Sequence, residues 1–318
     1  MTRMPWKYES QRGYFGQAML ELGRANPNVV VVGADTTESL KTSMFGREFP
    51  DRLFNIGIAE QNMIGIAAGL AASGKTAIAA TYAVFGTAQV YSVIRQSIAY
   101  PKLNVKIFCS HAGTSVGPDG ATHQMNEDIG MMRGLPNMAV LVPCDAPETA
   151  RTVPAAAVWD GPTYCRFARS DVPTVTSKED SFAIGKATKI RDGSDVTLIG
   201  CGIMVSKCIE AAEILEKEHI DAMVVNMSTI KPIDIEMIRK AAKDTGAIVT
   251  AEEHSVLHGL GSAVAAEIAR IRPVPMEFVG MPDCFGESGE DEKLLERFGL
   301  TAAKIVEAAK TAERIRGG

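Results

Sequence analysis

Short runs of apolar, often β-branched residues recur along the first half of the chain, and polar or glycine positions bound each run. Five runs are predicted to be strands: NVVVVGAD (28–35), KTAIAATYA (75–83), LNVKIFCSHAG (103–113), MAVLVPCD (138–145) and PTYCRFARS (162–170). The segments between them have helical patterns, as in YFGQAMLELGRA, QNMIGIAAGLA, QVYSVIRQSIAY and PETARTVPAAAVW. Strands that alternate with helices indicate parallel strands covered on both faces.

A polar stretch, VPTVTSKEDSFAIG (172–185), interrupts this alternation and is predicted to be a linker or crossover. A second alternation follows it, with strands at 195–203, 221–229, 246–254 and 275–281 and helices at 205–220, 234–245, 261–271 and 301–315. A chain of 318 residues is too long for one ordinary core. We therefore predict an α/β protein of two doubly wound domains, residues 1–175 and 189–318, joined by a linker at 176–188.

Composition and charge narrow the possible partners. The formal net charge of −5 argues against nucleic acid as the main partner, whereas a few local cations can still hold a small anion. No run reaches the roughly 18 apolar residues that span a bilayer, and the polar start MTRMPWKYESQRG lacks an apolar signal core, so a cytoplasmic location without a membrane partner is expected. The six cysteines form no CxxC pair and are predicted to be buried thiols.

Side chains that can take part in binding or catalysis follow the predicted strands of the first domain. Because ligands bind at the carboxyl ends of strands in an open parallel sheet, these positions predict a site. They are Asp35 and Ser39 after the first strand, Tyr82 and Phe85 after the second, His111, Asp119 and His123 after the third, Arg169 after the fifth, Glu60 after LFNIGIA, and Arg12 before the first helix. Glycines 113, 117 and 120 suit a loop whose backbone approaches a ligand closely.

Each of these residues also has an ordinary structural interpretation. Glu60 or Asp35 can be a helix N-cap or a first-turn acid that the helix dipole favours. His111 can be a core histidine, an arginine can form a surface ion pair of little energetic value, and the aromatic pair can be core. The coincidence of all of them at one sheet edge favours a site. The two histidines of HSVLH (254–258) have the spacing of metal ligands, but they are predicted to lie in a loop instead.

Several spaced motifs, in order, resemble the transketolase family. GIAEQNMIGIAAGLA, TYAVFGTAQVYSVIRQSIAYPKLNVKI, HAGTSVGPDGATHQMNEDIGMMRGLPNM and the end of PTYCRFARSDVP are similar to its pyrimidine-binding domain, and DVTLIGCGIMV and VTAEEHSVLHGLGSAVAAE to its C-terminal domain. The resemblance covers essentially the whole chain but only the C-terminal half of the family. The thiamine diphosphate motif, GDG followed by NN, is absent from this sequence. The resemblance therefore implies the C-terminal subunit of a split transketolase.

The resemblance assigns cofactor-binding roles to four of the candidate residues. Glu60 matches the glutamate that hydrogen-bonds N1′ of the aminopyrimidine of thiamine diphosphate and promotes its imino tautomer, and it is the first implied catalytic residue. A carboxyl in a dry, apolar setting suits that role because the hydrogen bond is strong there. Phe85 matches the aromatic residue that stacks on the pyrimidine, with Tyr82 nearby, and Asp35 matches an acid near the cofactor.

The remaining candidates match substrate-binding positions of the family. Asp119 and His123 match residues that bind the C1 and C2 oxygens of the ketose donor, and His123 is the second implied catalytic residue. A second group matches the cluster that holds the sugar phosphate, and bidentate arginines with a histidine suit a phosphate dianion. That group is Arg12, Ser39, His111 and Arg169.

The implied reaction transfers a two-carbon ketol unit from a ketose phosphate to an aldose phosphate, as in pentose phosphate metabolism. The implied partner is an N-terminal subunit that binds the diphosphate and supplies the Mg²⁺ ligands, in an α2β2 assembly; this chain is expected to contribute none. A 1-deoxyxylulose-5-phosphate synthase-like enzyme is an alternative, although Ser110-His111-Ala112-Gly113 stands where that enzyme has Asp-Arg-Ala-Gly. A β subunit of 2-oxo acid dehydrogenases and a non-catalytic partner are further alternatives.

Overall fold

The computed structural model describes residues 5–317, and its helices and strands alternate along most of that range. The strands are β1 (Tyr8–Glu9), β2 (Val29–Gly33), β3 (Leu53–Asn55), β4 (Thr76–Tyr82), β5 (Val105–Ser110), β6 (Ala139–Leu141), β7 (Thr163–Arg166), β8 (Val172–Pro173), β9 (Thr188–Arg191), β10 (Val196–Gly200), β11 (Ala222–Asn226), β12 (Thr229–Lys231), β13 (Ile248–Ser255) and β14 (Met276–Met281). The helices are α1 (Gln11–Ala25), α2 (Ser43–Glu48), α3 (Glu60–Ala72), α4 (Ala83–Gly86), α5 (Tyr91–Ile94), α6 (Asp128–Arg133), α7 (Ala146–Val158), α8 (Met204–Lys217), α9 (Ile235–Asp244), α10 (Leu260–Ile271), α11 (Asp291–Arg297) and α12 (Ala302–Gly317).

The larger sheet has the strand order β12-β6-β7-β5-β4-β2-β3 and is parallel except for β12 at its edge. Alternate residues of a strand point to opposite faces, and β2 shows how this builds two cores. Val30 and Val32 belong to the apolar cluster that includes residues of α3, whereas Val29 and Val31 belong to the cluster that includes Phe15 of α1. Helices therefore cover both faces, and this is why the central strands are continuous apolar runs.

The second sheet has the order β14-β13-β10-β11-β9, and its strands are parallel except for the edge strand β9. Helices α8 and α12 pack on it around the buried side chains of Leu215 and Ile305. The predicted α/β class with mostly parallel, doubly wound sheets is therefore confirmed. Within residues 5–317, no helix is both long enough and apolar enough to cross a membrane.

Several details differ from the predictions. The segment predicted as one helix at 89–100 is divided into a 3-10 turn, α5 and a π-helical turn at Arg95–Ala99, which is closed by the Tyr100 N–H donating to the Arg95 carbonyl over 3.0 Å. Cys284 is exposed, so the prediction of a buried thiol was wrong for that residue, whereas the other five cysteines are buried and none is in a disulfide.

The second half of the chain also contributes to the first sheet. Strand β12 lies in the range 189–318 but pairs antiparallel with β6, with Thr229 opposite Leu141. The polar stretch predicted as a linker is anchored as well, because the Asp145 carboxylate accepts hydrogen bonds from the Val175 and Thr176 N–H groups over 2.8 and 2.5 Å. The predicted division into domains does not account for β12, which joins the sheet of the first domain. The boundaries of the two domains stay a prediction.

A buried ion pair connects three elements at the junction of the two sheets. Arg166 Nη1, at the end of β7, lies 2.7 Å from Asp128 Oδ1 at the start of α6. The Tyr164 hydroxyl donates to the other oxygen of Asp128 over 2.5 Å, and Arg166 Nη2 donates to the Glu253 carbonyl of β13 over 3.0 Å. Since a buried charge is costly unless it is paired and hydrogen-bonded, this network holds β7, α6 and β13 in one arrangement.

We predict that Asp128→Ala lowers the free energy of unfolding by about 3–5 kcal/mol, because it leaves the Arg166 charge buried without its partner. Urea denaturation followed by circular dichroism measures this change. Asp160→Ala is the matched control, since it removes the Asp160 partner of an exposed ion pair to Lys102 at 2.7 Å and is expected to leave the midpoint unchanged. Equal urea midpoints for the two variants would contradict the stabilising role of the buried Arg166–Asp128 pair.

Candidate functional site

The candidate residues lie where the parallel strands of the larger sheet end. Asp35 follows β2 within two residues, Tyr82 ends β4, and His111 directly follows β5. Asp35 and His111 both adopt a left-handed backbone conformation, with φ of 59° in each case. Non-glycine residues rarely adopt it, and such residues cluster where a side chain is aimed into a site.

A continuous set of contacts joins α1, β4 and β5 at this edge. Ser10 caps α1 by accepting from the Gly13 N–H over 3.2 Å, which fixes the first turn that carries Arg12. Arg12 Nη1 donates to the Ser39 carbonyl and hydroxyl over 3.2 and 3.3 Å, and the Tyr82 hydroxyl donates to the same Ser39 hydroxyl over 3.0 Å. The Tyr82 ring stacks on His111 with 3.7 Å between ring centroids.

Two guanidinium groups make this edge locally cationic. Burial, and next the nearby positive charge of Arg169, lower the pKa of Arg12. Arg12 Nε is buried and has no hydrogen-bond partner in the described part of the chain. Arg169 Nε lies 3.7 Å from Asp119 Oδ2, and the negative charge of Asp171 acts on Arg12. An arrangement with an unused guanidinium donor suits an added anion.

His111 is neutral in this setting. It is 2% exposed, and its Nδ1 lies 2.7 Å from the Ser110 hydroxyl. Burial lowers its pKa to about 3, and the positive charges of Arg12 and Arg169 act in the same direction. A neutral imidazole packs beside two guanidiniums without adding charge, and it still offers ring nitrogens for hydrogen bonding.

The loop that carries Asp119 and His123 lies beside the aromatic pair. The Phe85 ring meets the His123 ring edge to face at 5.5 Å and lies 6.1 Å from the Tyr82 ring. Phe85 and Tyr82 are half-buried, and Tyr82 also packs against the cluster that includes Phe15, so neither ring is fully enclosed in the core. Gly117 and Gly120 have φ of 80° and 72°. Residues other than glycine rarely adopt this backbone conformation, which explains why glycine stands at these two positions of the loop.

Glu60 is the first residue of α3 and is 4% exposed. The N-cap position belongs to Ala59, so the N-cap interpretation of Glu60 was wrong and the first-turn interpretation holds. Gln89 Nε2 lies 3.5 Å from Glu60 Oε2. Ile58, two residues before Glu60 in the chain, is 83% exposed, which is unusual for a large apolar residue.

The structure brings most of the predicted residues into one connected group. Contacts or electrostatic effects join eight of them: Arg12, Ser39, Tyr82, Phe85, His111, Asp119, His123 and Arg169. Asp35 and Glu60 lie at the same edge with other partners. Asp35 is exposed and accepts from Asn55 Nδ2 over 3.4 Å, and its own N–H donates to Asn55 Oδ1 over 2.9 Å.

Sequence reasoning missed three neighbours of the site. Gln89 lies in a segment predicted only to be a helix, and Asn55 lies within LFNIGIA, five residues before Glu60, without a predicted role. Glu253 lies in β13 and accepts from the Ser115 N–H of the candidate loop over 2.5 Å. Its position at the end of the strand predicted at 246–254 is a usable signal, but the predicted site residues come only from the first domain.

The two histidines of HSVLH pack on α6. His254 is in β13 and accepts from the Gly130 N–H at Nε2 over 3.3 Å, while its Nδ1 donates to the Ser255 carbonyl over 2.9 Å. Burial lowers the pKa of His254 to about 4. The His258 ring lies 5.2 Å from the His254 ring and occupies the space that a side chain at Gly130 would need.

Comparison with known proteins supports one family. The family model described as "Transketolase, pyrimidine binding domain" matches residues 9–174, and "Transketolase, C-terminal domain" matches 185–305. A transketolase C-terminal section of Methanocaldococcus jannaschii is 44% identical, covering 96% of both chains. A 6-deoxy-6-sulfo-D-fructose transketolase subunit of a Clostridium species is 40% identical, covering 94% of this chain and 92% of the relative. A solved split gene transketolase, titled as an inactive beta4 tetramer, is 49% identical with a TM-score of 0.91, covering 96% of this chain and 99% of that one.

We predict that the His111 ring stays neutral when the pH is lowered from about 7 to about 4, a range in which an ordinary histidine gains a proton. The unfolded chain binds that proton below its ordinary pKa and the folded chain does not, so the contribution of His111 to stability falls as the pH is lowered from about 6.5 to about 3. Nitrogen-15 NMR of the imidazoles measures the titration.

The same experiment tests the cause of the shift. Arg12→Gln removes a neighbouring cation and is expected to raise the pKa of His111, although burial keeps it below the ordinary value. Arg24→Gln changes an arginine in the last turn of the same helix, paired with Glu48, and is expected to leave the titration unchanged. An ordinary titration of His111 in the parent protein would contradict the prediction.

Proposed function

We propose, since this chain belongs to the transketolase family and corresponds to its C-terminal half, that it is the C-terminal subunit of a two-chain transketolase. The proposed reaction transfers a two-carbon ketol unit from a ketose phosphate to an aldose phosphate. The observation that carries this proposal is the joining of Arg12, Ser39, Tyr82 and His111 beside Arg169, at the carboxyl ends of the strands.

The cationic edge is the proposed binding site for the anionic end of the sugar. Arg12 and Arg169 offer planar, permanently charged groups, and Arg12 Nε has no partner within residues 5–317. The Ser39 hydroxyl and the neutral His111 ring complete the set. The Clostridium relative is named for a sulfonated sugar. We therefore expect the groups of the cationic edge to determine whether a phosphate or a sulfonate is bound, and an activity assay with a ketose phosphate and with a sulfonated ketose compares the two donors.

The residues around Glu60 fit the pyrimidine half of thiamine diphosphate. A buried carboxylate and the Gln89 amide provide hydrogen-bonding groups for a nitrogen heterocycle, and the half-buried Phe85 ring provides a stacking surface. When bound, the cofactor supplies an acceptor for the electron pair of the broken carbon–carbon bond. Glu60 would hold a proton at a nitrogen of the bound pyrimidine, and its buried setting would strengthen that hydrogen bond. Tyr82 and Asp35 are proposed to lie close to the cofactor.

Asp119 and His123 are proposed to bind the C1 and C2 oxygens of the ketose donor. His123 is half-buried beside Phe85, and Asp119 is exposed next to Arg169, so both can reach a sugar whose anionic end is held at the cationic edge. In this arrangement the donor's carbonyl end lies between the aromatic pair and the glycine loop. The chain's own residues are thus proposed to orient the sugar at both ends, and such positioning lowers the barrier of the reaction.

The remaining parts of the active site are proposed to come from a partner chain. The GDG and NN motif that binds the diphosphate through Mg²⁺ is absent from this sequence, and relatives of similar length are named as a section or a subunit. The solved relative that is titled inactive is a tetramer of one chain type. We therefore propose self-association of this chain and an α2β2 assembly with an N-terminal subunit in the cytoplasm.

We predict that the isolated chain has no ketol transfer activity and that mixing it with an N-terminal transketolase subunit produces thiamine diphosphate-dependent transfer. The assay supplies xylulose 5-phosphate or its relatives as donor and an aldose phosphate as acceptor, with Mg²⁺ present. Strong transfer by the isolated chain would contradict the two-chain proposal. Turnover of pyruvate as sole donor, without turnover of a ketose phosphate, would contradict the transketolase activity and favour a pyruvate-using enzyme.

We predict that Glu60→Gln lowers kcat of the reconstituted enzyme by about 10²–10⁴-fold, because an amide cannot take part in the proton transfer. The matched control is Glu148→Gln, another buried first-turn glutamate, whose carboxylate accepts from the Cys144 N–H, the Asn226 amide and the Ser228 hydroxyl and from no residue of the proposed site. The control is expected to lower the unfolding midpoint without a comparable loss of kcat. Unchanged kcat in Glu60→Gln would exclude the proposed role of Glu60.

A further inference from the structure

We propose that Glu253 is a positioning residue that holds the loop 113–126 in its donor-binding shape from the second sheet. This inference rests on the proposed function, since it assumes that Asp119 and His123 of that loop bind the ketose donor. Glu253 lies in β13, on the far side of the junction from the strands that carry the candidate site. It is proposed to act on the substrate only through the loop.

The Glu253 side chain contacts the beginning of the loop directly. It is 7% exposed, and its Oε1 accepts from the Ser115 N–H over 2.5 Å. Its carboxylate occupies the place where a side chain of Gly113 would lie, so the chain passes over it in close contact. Gly113 has φ of 79°, which makes glycine the suitable residue at this crossing. The carboxylate therefore determines where the loop leaves β5.

Hydrogen bonds within the loop connect the beginning of the loop, which Glu253 contacts, to its end. The Gly113 N–H donates to the Met125 carbonyl over 2.8 Å, and the Thr114 hydroxyl donates to Asn126 Oδ1 over 3.1 Å. The Ser255 N–H, two residues after Glu253, donates to the Asn126 carbonyl over 2.8 Å. Both ends of the loop are thus held by the same strand end, and the donor-binding residues lie between them.

The segment between β14 and α11 also supports the outer part of the loop. Gln124 Nε2 donates to the Thr114 carbonyl over 3.0 Å and to the Glu287 carbonyl over 2.9 Å. A side chain at Gly120 would meet the Ser288 hydroxyl. The segment before α11 therefore lies against the loop near Asp119 and His123. Because no position between 113 and 126 is part of a helix longer than a single turn, its shape depends on these external contacts.

Glu253 is itself held rigidly. Its carbonyl accepts from Arg166 Nη2 over 3.0 Å, and the same guanidinium pairs with Asp128. Burial raises the pKa of Glu253, while the Arg166 charge and the Ser115 N–H favour its ionised form. A hydrogen bond from a backbone N–H to a carboxylate is stronger than one to a neutral acceptor. The arrangement therefore suits a rigid support for a loop that holds two sugar-binding side chains in a fixed relative position.

The test compares Glu253→Ala with the parent chain in the enzyme reconstituted with an N-terminal subunit. We expect kcat/KM for the ketose phosphate donor to fall about 10- to 100-fold, mainly through KM, because displaced donor-binding groups lose much of their effect. The concentration of thiamine diphosphate that gives half-maximal activity is expected to stay unchanged. Glu253→Gln keeps an acceptor for the Ser115 N–H and is expected to restore part of the loss.

The matched control is Glu252→Ala, one residue earlier in the same strand. Glu252 is also buried, but its carboxylate accepts from the Leu260 and Gly261 N–H groups of α10 over 2.6 and 2.8 Å. It is expected to destabilise α10 without changing the donor KM. An equal rise of the donor KM in both variants would reduce Glu253 to a general contributor to stability, and no rise in Glu253→Ala would overturn the proposal.

A second measurement is independent of the reaction. Hydrogen exchange of the amides at 113–126 in the isolated, folded chain is expected to accelerate in Glu253→Ala, and the control is expected to accelerate exchange at the start of α10 instead. If Glu253→Ala does not fold, Glu253→Gln is compared instead, and a smaller acceleration at 113–126 is expected because its amide oxygen still accepts from the Ser115 N–H. Absence of ketol transfer by the parent pair would reject the proposed function, whereas unchanged exchange at 113–126 would reject the positioning role alone.

Discussion

The pairing of Arg166 with Asp128 is the interaction on which the arrangement of the two sheets depends. The guanidinium ends β7, the carboxylate begins α6, and the remaining Arg166 donor reaches the Glu253 carbonyl of β13. Neither charge can be left alone in a dry interior without a penalty of several kcal/mol. The three elements are therefore locked together, and the loop between β5 and α6 has its end and its support determined by the same network.

The cationic edge of the candidate site differs, because Arg12 makes its hydrogen bonds to the uncharged carbonyl and hydroxyl of Ser39. Arg169 lies 3.7 Å from the Asp119 carboxylate, and a guanidinium nitrogen of Arg12 is left without a hydrogen-bond partner among the described residues. The neutral His111 ring lets these cations lie close together by not adding a third charge. Balanced charges at the junction provide rigidity, and the cations at the strand ends provide a place for an anionic ligand.

Local patterns predicted the long buried elements well and the short edge elements poorly. The apolar runs of β2, β4 and β5 are buried on both faces, so their sequences carry the signal that the sheet requires. Strands such as β3 and β12 have three residues each, and their existence depends on a neighbour that the local sequence does not contain. The same holds for the contact partners Gln89 and Asn55, which have no distinctive pattern of their own.

The sequence by itself determined the α/β class, the residues at the strand ends and the family resemblance, because these depend on local periodicity and on motifs read along the chain. Only the tertiary structure decided that Glu60 is the first residue of α3 and not its cap, that Cys284 is exposed, and that β12 crosses to the first sheet. It also decided that Glu253 supports the candidate loop. The Glu253 contact joins residues 138 positions apart, and a distance of that kind is set by packing, which no local pattern encodes.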